Sequence, residues 1–113
     1  MSHAILLGNG EMERQMALNK KLTPIMVGRT IKSATQSDGA LIISFDDGST
    51  MKVKTGGQVP VDTLTNRTIR AVRQQGTSMK LDFNDNSTAA IKLAEATSSV
   101  MLRDKENKLE YAD

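Results

Sequence analysis

The sequence contains no cysteine, a single histidine and no tryptophan. Without cysteine, neither a disulfide framework nor a thiolate metal site can form. The single histidine is His3, near the terminus, so nucleophilic catalysis of the Ser–His or Cys–His type has no well-placed base. We therefore expect a non-enzymatic protein that needs no metal and no cofactor.

The sequence also lacks an excess of charge of one sign and any long apolar run. It has 15 basic and 13 acidic residues among 113, for a formal net charge of +2. The apolar run Ala4–Leu7 is much shorter than the roughly 7–15 residues of a secretory h-region or the roughly 18 of a membrane span. We expect a small, soluble, cytoplasmic protein without a membrane segment.

An internal similarity is the most informative feature of the sequence. Residues 28–54 and 66–92, here called the first and second copies, align without a gap at an offset of 38. Nine positions are identical, where unrelated segments of this length would share about one or two. They are Arg29/Arg67, Thr30/Thr68, Ile31/Ile69, Gln36/Gln74, Phe45/Phe83, Asp47/Asp85, Ser49/Ser87, Thr50/Thr88 and Lys54/Lys92.

Each copy has the pattern of a three-stranded antiparallel meander. Apolar residues alternate along the second strand at Leu41, Ile43 and Phe45, the period that places side chains on one face of a sheet. The motifs DDGS and NDNS then predict hairpin turns, in which Gly48 and Asn86 would adopt positive φ. On the second strand of the second copy, we expect Lys80 and Asp82 to face water. Ile69 and Val72 are three residues apart, which predicts a bulge in the first strand.

The sequence therefore predicts one mainly β (α+β) domain over residues 1–113, with antiparallel sheets built from the two tandem meanders. The segment 10–22 is predicted to be an N-terminal helix that Thr23-Pro24 ends, because it carries acidic residues first and Lys20-Lys21 last. Residues 55–65 are expected to be a linker, and residues 98–112 a C-terminal hairpin with Asn107 at positive φ. Whether the copies share one sheet or form two packed sheets stays open.

Two patterns could indicate chemistry but fit turns better. The GNG of Gly8–Gly10 resembles the start of a dinucleotide-binding loop, yet Glu13 replaces the third glycine and no alternating strand–helix pattern follows. Asp46, Asp47 and Asp85 lack the spacing of a calcium-binding loop. We interpret these residues as turn formers.

Basic residues on the first strand of each copy are the candidate site. They are Arg29, Lys32, Arg67, Arg70 and Arg73. Arginine can grip phosphate with two hydrogen bonds, but nucleic-acid surfaces usually add stacking aromatic rings, which are scarce here. The leading hypothesis is a protein-interaction module, with homodimerisation through an exposed strand edge as one form. The alternative is a weak nucleic-acid or phosphate binder that uses these five residues.

Overall fold

In the computed structural model, residues 16–113 are described, and they form mainly antiparallel β-structure, as the sequence predicts. They contain eight β-strands, one short α-helix and one 3₁₀ helix. In chain order these are α1 (Leu22–Met26), β1 (Ile31–Ser37), β2 (Ala40–Phe45), β3 (Thr50–Lys54), the 3₁₀ helix (Val61–Thr63), β4 (Ile69–Gln75), β5 (Ser78–Phe83), β6 (Thr88–Lys92), β7 (Val100–Arg103) and β8 (Leu109–Ala112).

The two copies lie in different sheets. The first copy supplies β1, β2 and β3 of a five-stranded sheet whose order is β1-β2-β3-β7-β8. The second copy forms a three-stranded sheet whose order is β4-β5-β6. All pairings are antiparallel. The C-terminal hairpin β7–β8 extends the sheet of the first copy, and within residues 16–113 no such hairpin extends the sheet of the second copy.

The turns and bulges agree with the sequence predictions. Gly48 and Asn86 have φ of 88° and 68°, and Asn107 has φ of 67°. The register of each first strand shifts once, between Ile31 and Ser33 in β1 and at the equivalent positions of β4. Because both shifts occur 38 residues apart, the two copies share their local irregularities as well as their strand order.

A single apolar core joins the two sheets. Side chains at every second position of β2, β3, β5 and β6 point into it, and the phenylalanines at the ends of β2 and β5 are at most 2% exposed. The largest fully buried side chains are Phe45, Phe83, Leu22, Met26, Ile31, Leu41, Ile43, Met51, Leu64, Ile69, Met79 and Leu81. The apolar residues at every second position of the strands therefore form the core, as their alternation in the sequence predicts.

Equivalent residues of the two copies meet at the junctions between the sheets. Thr30 bridges Thr68, and their hydroxyl oxygens lie 2.7 Å apart. Thr55 bridges Leu93, also 38 residues away. Since each residue pairs with its own counterpart in the other copy, an approximate two-fold axis relates the copies and passes between the two members of each pair.

Residues 16–21 of the predicted helix 10–22 have a different structure. Residues 10–15 lie outside the described part of the chain, and residues 16–21 are not helical. The helix instead begins at Leu22, where the side chain of Asn19 accepts a hydrogen bond from the Leu22 N–H at 2.9 Å. Pro24 does not end the helix because it lies in the first turn, where no backbone donor is needed.

The segment 55–65 connects the copies but also contributes to the core. It contains the 3₁₀ helix, followed by the fully buried Leu64. Leu64 lies 38 residues after Met26, the last residue of α1, which is also fully buried. The similarity between the copies therefore extends about one helical turn before residues 28 and 66, although the two segments share almost no residue types there.

Asp82 corrects one predicted orientation. Alternation predicts that Asp82 faces water, whereas the residue is 6% exposed. It is covered because Arg73, diagonally across from it on β4, lies over it and donates two hydrogen bonds to its carboxylate, both at 2.8 Å. The carboxylate can be buried because both of its oxygens accept hydrogen bonds from the arginine.

Candidate interaction edge

Arg29 and Arg67 hold the hairpin turns of their own copies. The Arg29 Nε donates to the Ile25 carbonyl at 3.1 Å, and the equivalent Arg67 Nε donates to the Thr63 carbonyl. Arg67 also contacts the Asp85 carboxylate at 2.5 Å. Each arginine thus ties the helical turn before its strand to the hairpin turn that follows.

Arg29 additionally reaches the C-terminal hairpin. Its Nη2 lies 2.8 Å from the Glu110 carboxylate, and its Nε lies 3.6 Å from the Asp47 carboxylate. Its side chain is 14% exposed, and its Nη1 is buried without a hydrogen-bond partner. Arg29 is therefore buried between two carboxylates and offers little surface to a phosphate.

The turn aspartates are held ionised. Partial burial raises the pKa of Asp47, but hydrogen bonds from the Ser49 hydroxyl and N–H outweigh this effect, and the charge of Arg29 lowers the pKa further below its ordinary value. Hydrogen bonds from Ser87 lower the pKa of Asp85 in the same way. The shared Arg, Asp and Ser residues of the copies therefore form a turn-stabilising network.

Arg73 is engaged by Asp82. Burial raises the pKa of Asp82, but hydrogen bonds from Arg73 and Thr88, together with the charges of Arg73 and Arg70, lower it overall. The Arg73 side chain is 19% exposed. The predicted set of five cations is thus not one surface, because three of its members are bound to carboxylates.

Lys32 and Arg70 are the exposed members of that set. Each lies at the register shift in the first strand of its own copy, so the two residues are equivalent under the approximate two-fold axis. Arg70 donates to the Asn86 side chain at 3.1 Å. These two side chains lie on the surface without the stacking rings that single-stranded nucleic acids use.

Residues 16–113 contain no group of three or more metal-ligating side chains. A cleft of about 490 Å³ over β3 and β7 is lined by two lysines, Lys52 and Lys54, and by Met101 and Asp113. No helix among residues 16–113 is both long and apolar enough to cross a bilayer.

The outer edge of β6 is the most distinctive surface feature, and sequence reasoning did not locate it. The Phe83 N–H donates to Ser87 at 2.9 Å and the Leu93 N–H to Thr77 at 2.7 Å, which fixes the alternation of hydrogen bonds in this hairpin. Ala89 and Ile91 therefore bond to β5, whereas Thr88, Ala90 and Lys92 direct their N–H groups to the other side. No strand of residues 16–113 pairs with that side.

The equivalent edge of the first copy is covered. There β7 pairs with β3 through Thr50↔Arg103, Lys52↔Met101 and their neighbours. The Lys54 N–H donates to the Ser99 carbonyl at 2.7 Å. Within the described residues 16–113, β6 has no strand that corresponds to β7 on β3.

Other edges are better protected. The edge of β4 pairs with residues 17–19, since the Asn19 N–H donates to Val72 and the Gln74 N–H to Ala17. On β1, the Gln36 side chain bonds to the Gly57 carbonyl and the Val59 N–H. These contacts also explain the glutamine shared by the copies, because each one anchors a segment beside its strand.

The outer edge of β8 has a different protection. One extra residue shifts its register against β7, between Leu102↔Tyr111 and Arg103↔Leu109. Charged side chains alternate there at Lys108 and Glu110. Bulges and charges are the usual means of preventing pairing at an edge, and β6 has no register shift.

Comparison with known proteins adds no functional assignment. The chain matches no protein-family model, and no similar protein was found among curated sequences or solved structures.

Proposed function

We propose that this protein is a small, non-enzymatic, cytoplasmic interaction module that binds an extended protein segment along the outer edge of β6. The single observation that carries the proposal is the contrast between the copies. The edge of β3 is covered by β7, whereas the equivalent edge of β6 has no partner strand within residues 16–113, and only its terminal Lys92 carbonyl is bonded there, to the Gly56 N–H.

The physical basis is the unpaired backbone of β6. Backbone N–H and C=O groups at a strand edge form hydrogen bonds with an added strand, and alternate side chains of that strand provide specificity. An added strand would place every second side chain over the inner face, beside Ala89 and Ile91, which are 7% and 2% exposed. Apolar residues at every second position would therefore suit this edge, as Val100 and Leu102 of β7 suit β3.

A peptide with the sequence of residues 98–104, which contains β7, tests this proposal. Titrated into the isotope-labelled protein, it should shift the backbone amide signals of Thr88, Ala90 and Lys92 most strongly. The variant Ala90→Pro removes a central edge N–H and should weaken binding at least tenfold, because one bond is lost and the strand is distorted.

The matched control is Ala112→Pro, which changes an exposed alanine of β8, the edge strand of the other sheet. It should bind the peptide with unchanged affinity. Circular dichroism of both variants verifies that the fold is retained, and Ala90→Lys provides a second edge variant if Ala90→Pro unfolds. If the peptide shifts the amide signals of other residues but not those of β6, the proposal is contradicted.

A second candidate function is weak phosphate or nucleic-acid binding, which the exposed, symmetry-related positions of Lys32 and Arg70 favour. Labelled oligonucleotides measured by fluorescence anisotropy at low salt would detect it. The double variant Lys32→Glu, Arg70→Glu should then lower affinity about tenfold or more and flatten its salt dependence, because fewer counterions are released.

The control for this measurement is Lys52→Glu, Lys54→Glu, which reverses two exposed charges elsewhere on the protein. If both double variants lose affinity equally, the effect reflects net charge alone. Binding that is unchanged in Lys32→Glu, Arg70→Glu would exclude the two residues as a phosphate site.

A further inference from the structure

The β6 edge is complementary to itself. Resting on the proposed use of this edge, we infer that its partner is β6 of a second copy of the chain, antiparallel and centred on Ala90. The two three-stranded sheets would then form one six-stranded sheet across a two-fold axis. A two-fold axis through a hydrogen-bonded pair needs a central residue whose N–H and C=O both face outward, and Ala90 is the middle one of the three such residues of β6 in the alternation fixed above.

The hydrogen bonds of such a pair are fully defined by the register. Ala90 exchanges both backbone bonds with Ala90 of the second copy, and Thr88 lies opposite Lys92 of the second copy. The Lys92 carbonyl already accepts the Gly56 N–H at 2.8 Å, so each Lys92 contributes its N–H to the opposite Thr88 carbonyl. The Gly56 N–H keeps this bond, so the pair forms four hydrogen bonds, two between the Ala90 residues and one from each Lys92, and it ends at Lys92 because Thr55 lies opposite Leu93.

The side chains are compatible with the same register. On the inner face, Ala89 lies opposite Ile91 of the second copy, so the apolar core continues across the axis. On the outer face, the small Ala90 side chains meet at the centre without steric conflict. Lys92 lies opposite the uncharged Thr88, and no two like charges oppose each other.

The C-terminal hairpin of a second copy fits this edge less well. Where β7–β8 covers β3, Lys105 lies so close to Gly48 that a Cβ at position 48 would be 2.9 Å from the Lys105 Cβ. The equivalent residue beside β6 is Asn86, which has a Cβ. A hairpin seated in the same way on the second sheet would therefore clash, whereas β6 of a second copy ends before the turn.

A cysteine at position 90 tests the inferred register. The chain has no cysteine, so Ala90→Cys introduces a single thiol. Directly opposed residues of a hydrogen-bonded antiparallel pair have Cα atoms about 5.5 Å apart, within disulfide range. Under mild oxidation Ala90→Cys should become a covalent dimer at least tenfold faster than Ala112→Cys, an exposed control on the other edge.

Sedimentation of the wild-type protein from low micromolar to near-millimolar concentration supplies the second measurement. The mass should rise from monomer to dimer with concentration, and Ala90→Lys should shift the midpoint at least tenfold higher because it opposes two lysines at the axis. Amide exchange at Ala90 should slow as the dimer forms.

The outcomes separate this inference from the proposed function. A protein that stays monomeric at every concentration, yet binds the 98–104 peptide along β6, overturns the second copy as partner and leaves the proposed edge in use. A dimer in which Ala90→Cys does not cross-link faster than Ala112→Cys overturns the inference. If peptide binding also leaves β6 unaffected, the proposed function fails as well.

Discussion

Replacing Leu64 with alanine should destabilise the protein by about 2–5 kcal/mol, the range for removing a fully buried leucine side chain from a core. Leu64 has no exposed surface and follows the 3₁₀ helix in the segment between the copies. The loss combines the lost burial of three side-chain carbon atoms with the cavity that remains. Urea unfolding, with the midpoint and slope compared between variants, measures the change.

Thr65→Ala is the matched control, because Thr65 is the exposed neighbour in the same turn. It should change stability by no more than about 0.5 kcal/mol. Met26→Ala, at the equivalent position of the first copy, should cost a similar 2–5 kcal/mol. A Leu64→Ala variant as stable as Thr65→Ala would show that residues 55–65 act only as a connection.

The strands could be predicted because alternation and turn chemistry are local. Leu41, Ile43 and Phe45 are confirmed on the inner face, and Gly48, Asn86 and Asn107 have the positive φ that the turns predict. The offset of 38 then transfers each assignment from one copy to the other. The sequence could not show whether the sheets are joined, because that depends on bridges such as Thr30↔Thr68 between distant segments.

The helix and the linker were less accessible to sequence analysis. Residues 16–21 have a helical composition, but their backbone pairs with β4 instead, as the bond from the Asn19 N–H to Val72 shows. Tertiary pairing of this kind overrides local propensity. Leu64 is flanked by polar residues, and its spacing from Val59 and Val61 follows no single period that would mark it as buried.

The candidate site shows the same division between local and tertiary information. The shared arginines suggested a phosphate surface, yet Arg29 and Arg67 bind the Asp47 and Asp85 turns of their own copies. Identity between the copies therefore reflects what two equal folding units both need. The proposed interaction edge lies where the copies diverge, and the open edge of β6 became visible only when the β7–β8 hairpin was placed on β3.

The pairing of Arg73 with Asp82 should carry the largest electrostatic effect in the protein, and the first copy supplies the variants that test it. At the equivalent positions that copy has Thr35 and Ser44. Arg73→Thr should destabilise the fold by about 2–3 kcal/mol, because it removes the two Arg73 hydrogen bonds from a buried carboxylate that keeps the bond from the Thr88 hydroxyl. This lies below the roughly 3–5 kcal/mol of a fully buried pair, since the Arg73 side chain is 19% exposed.

The double variant Arg73→Thr, Asp82→Ser should recover most of that loss and fall within about 1 kcal/mol of the wild type, because both charges are removed together. Equal instability of Arg73→Thr and of the double variant would contradict the coupling. Urea unfolding of the wild type, both single variants and the double variant completes the cycle.

The pH dependence of unfolding provides an independent measure of the same pair. The pKa of Asp82 is lower in the folded protein than its ordinary value of 3.8, so the unfolded chain takes up the proton first as pH falls. The stability from this group is therefore fully present above about pH 4–5 and is lost as pH falls toward the folded pKa. Asp82→Ser should show a shallower loss of unfolding free energy than the wild type between pH 5 and pH 2, values chosen to span that titration. If the unfolding free energies of the two proteins fall equally with pH, the acid sensitivity comes from other carboxylates. Asp47 and Asp85 also have lowered pKa values.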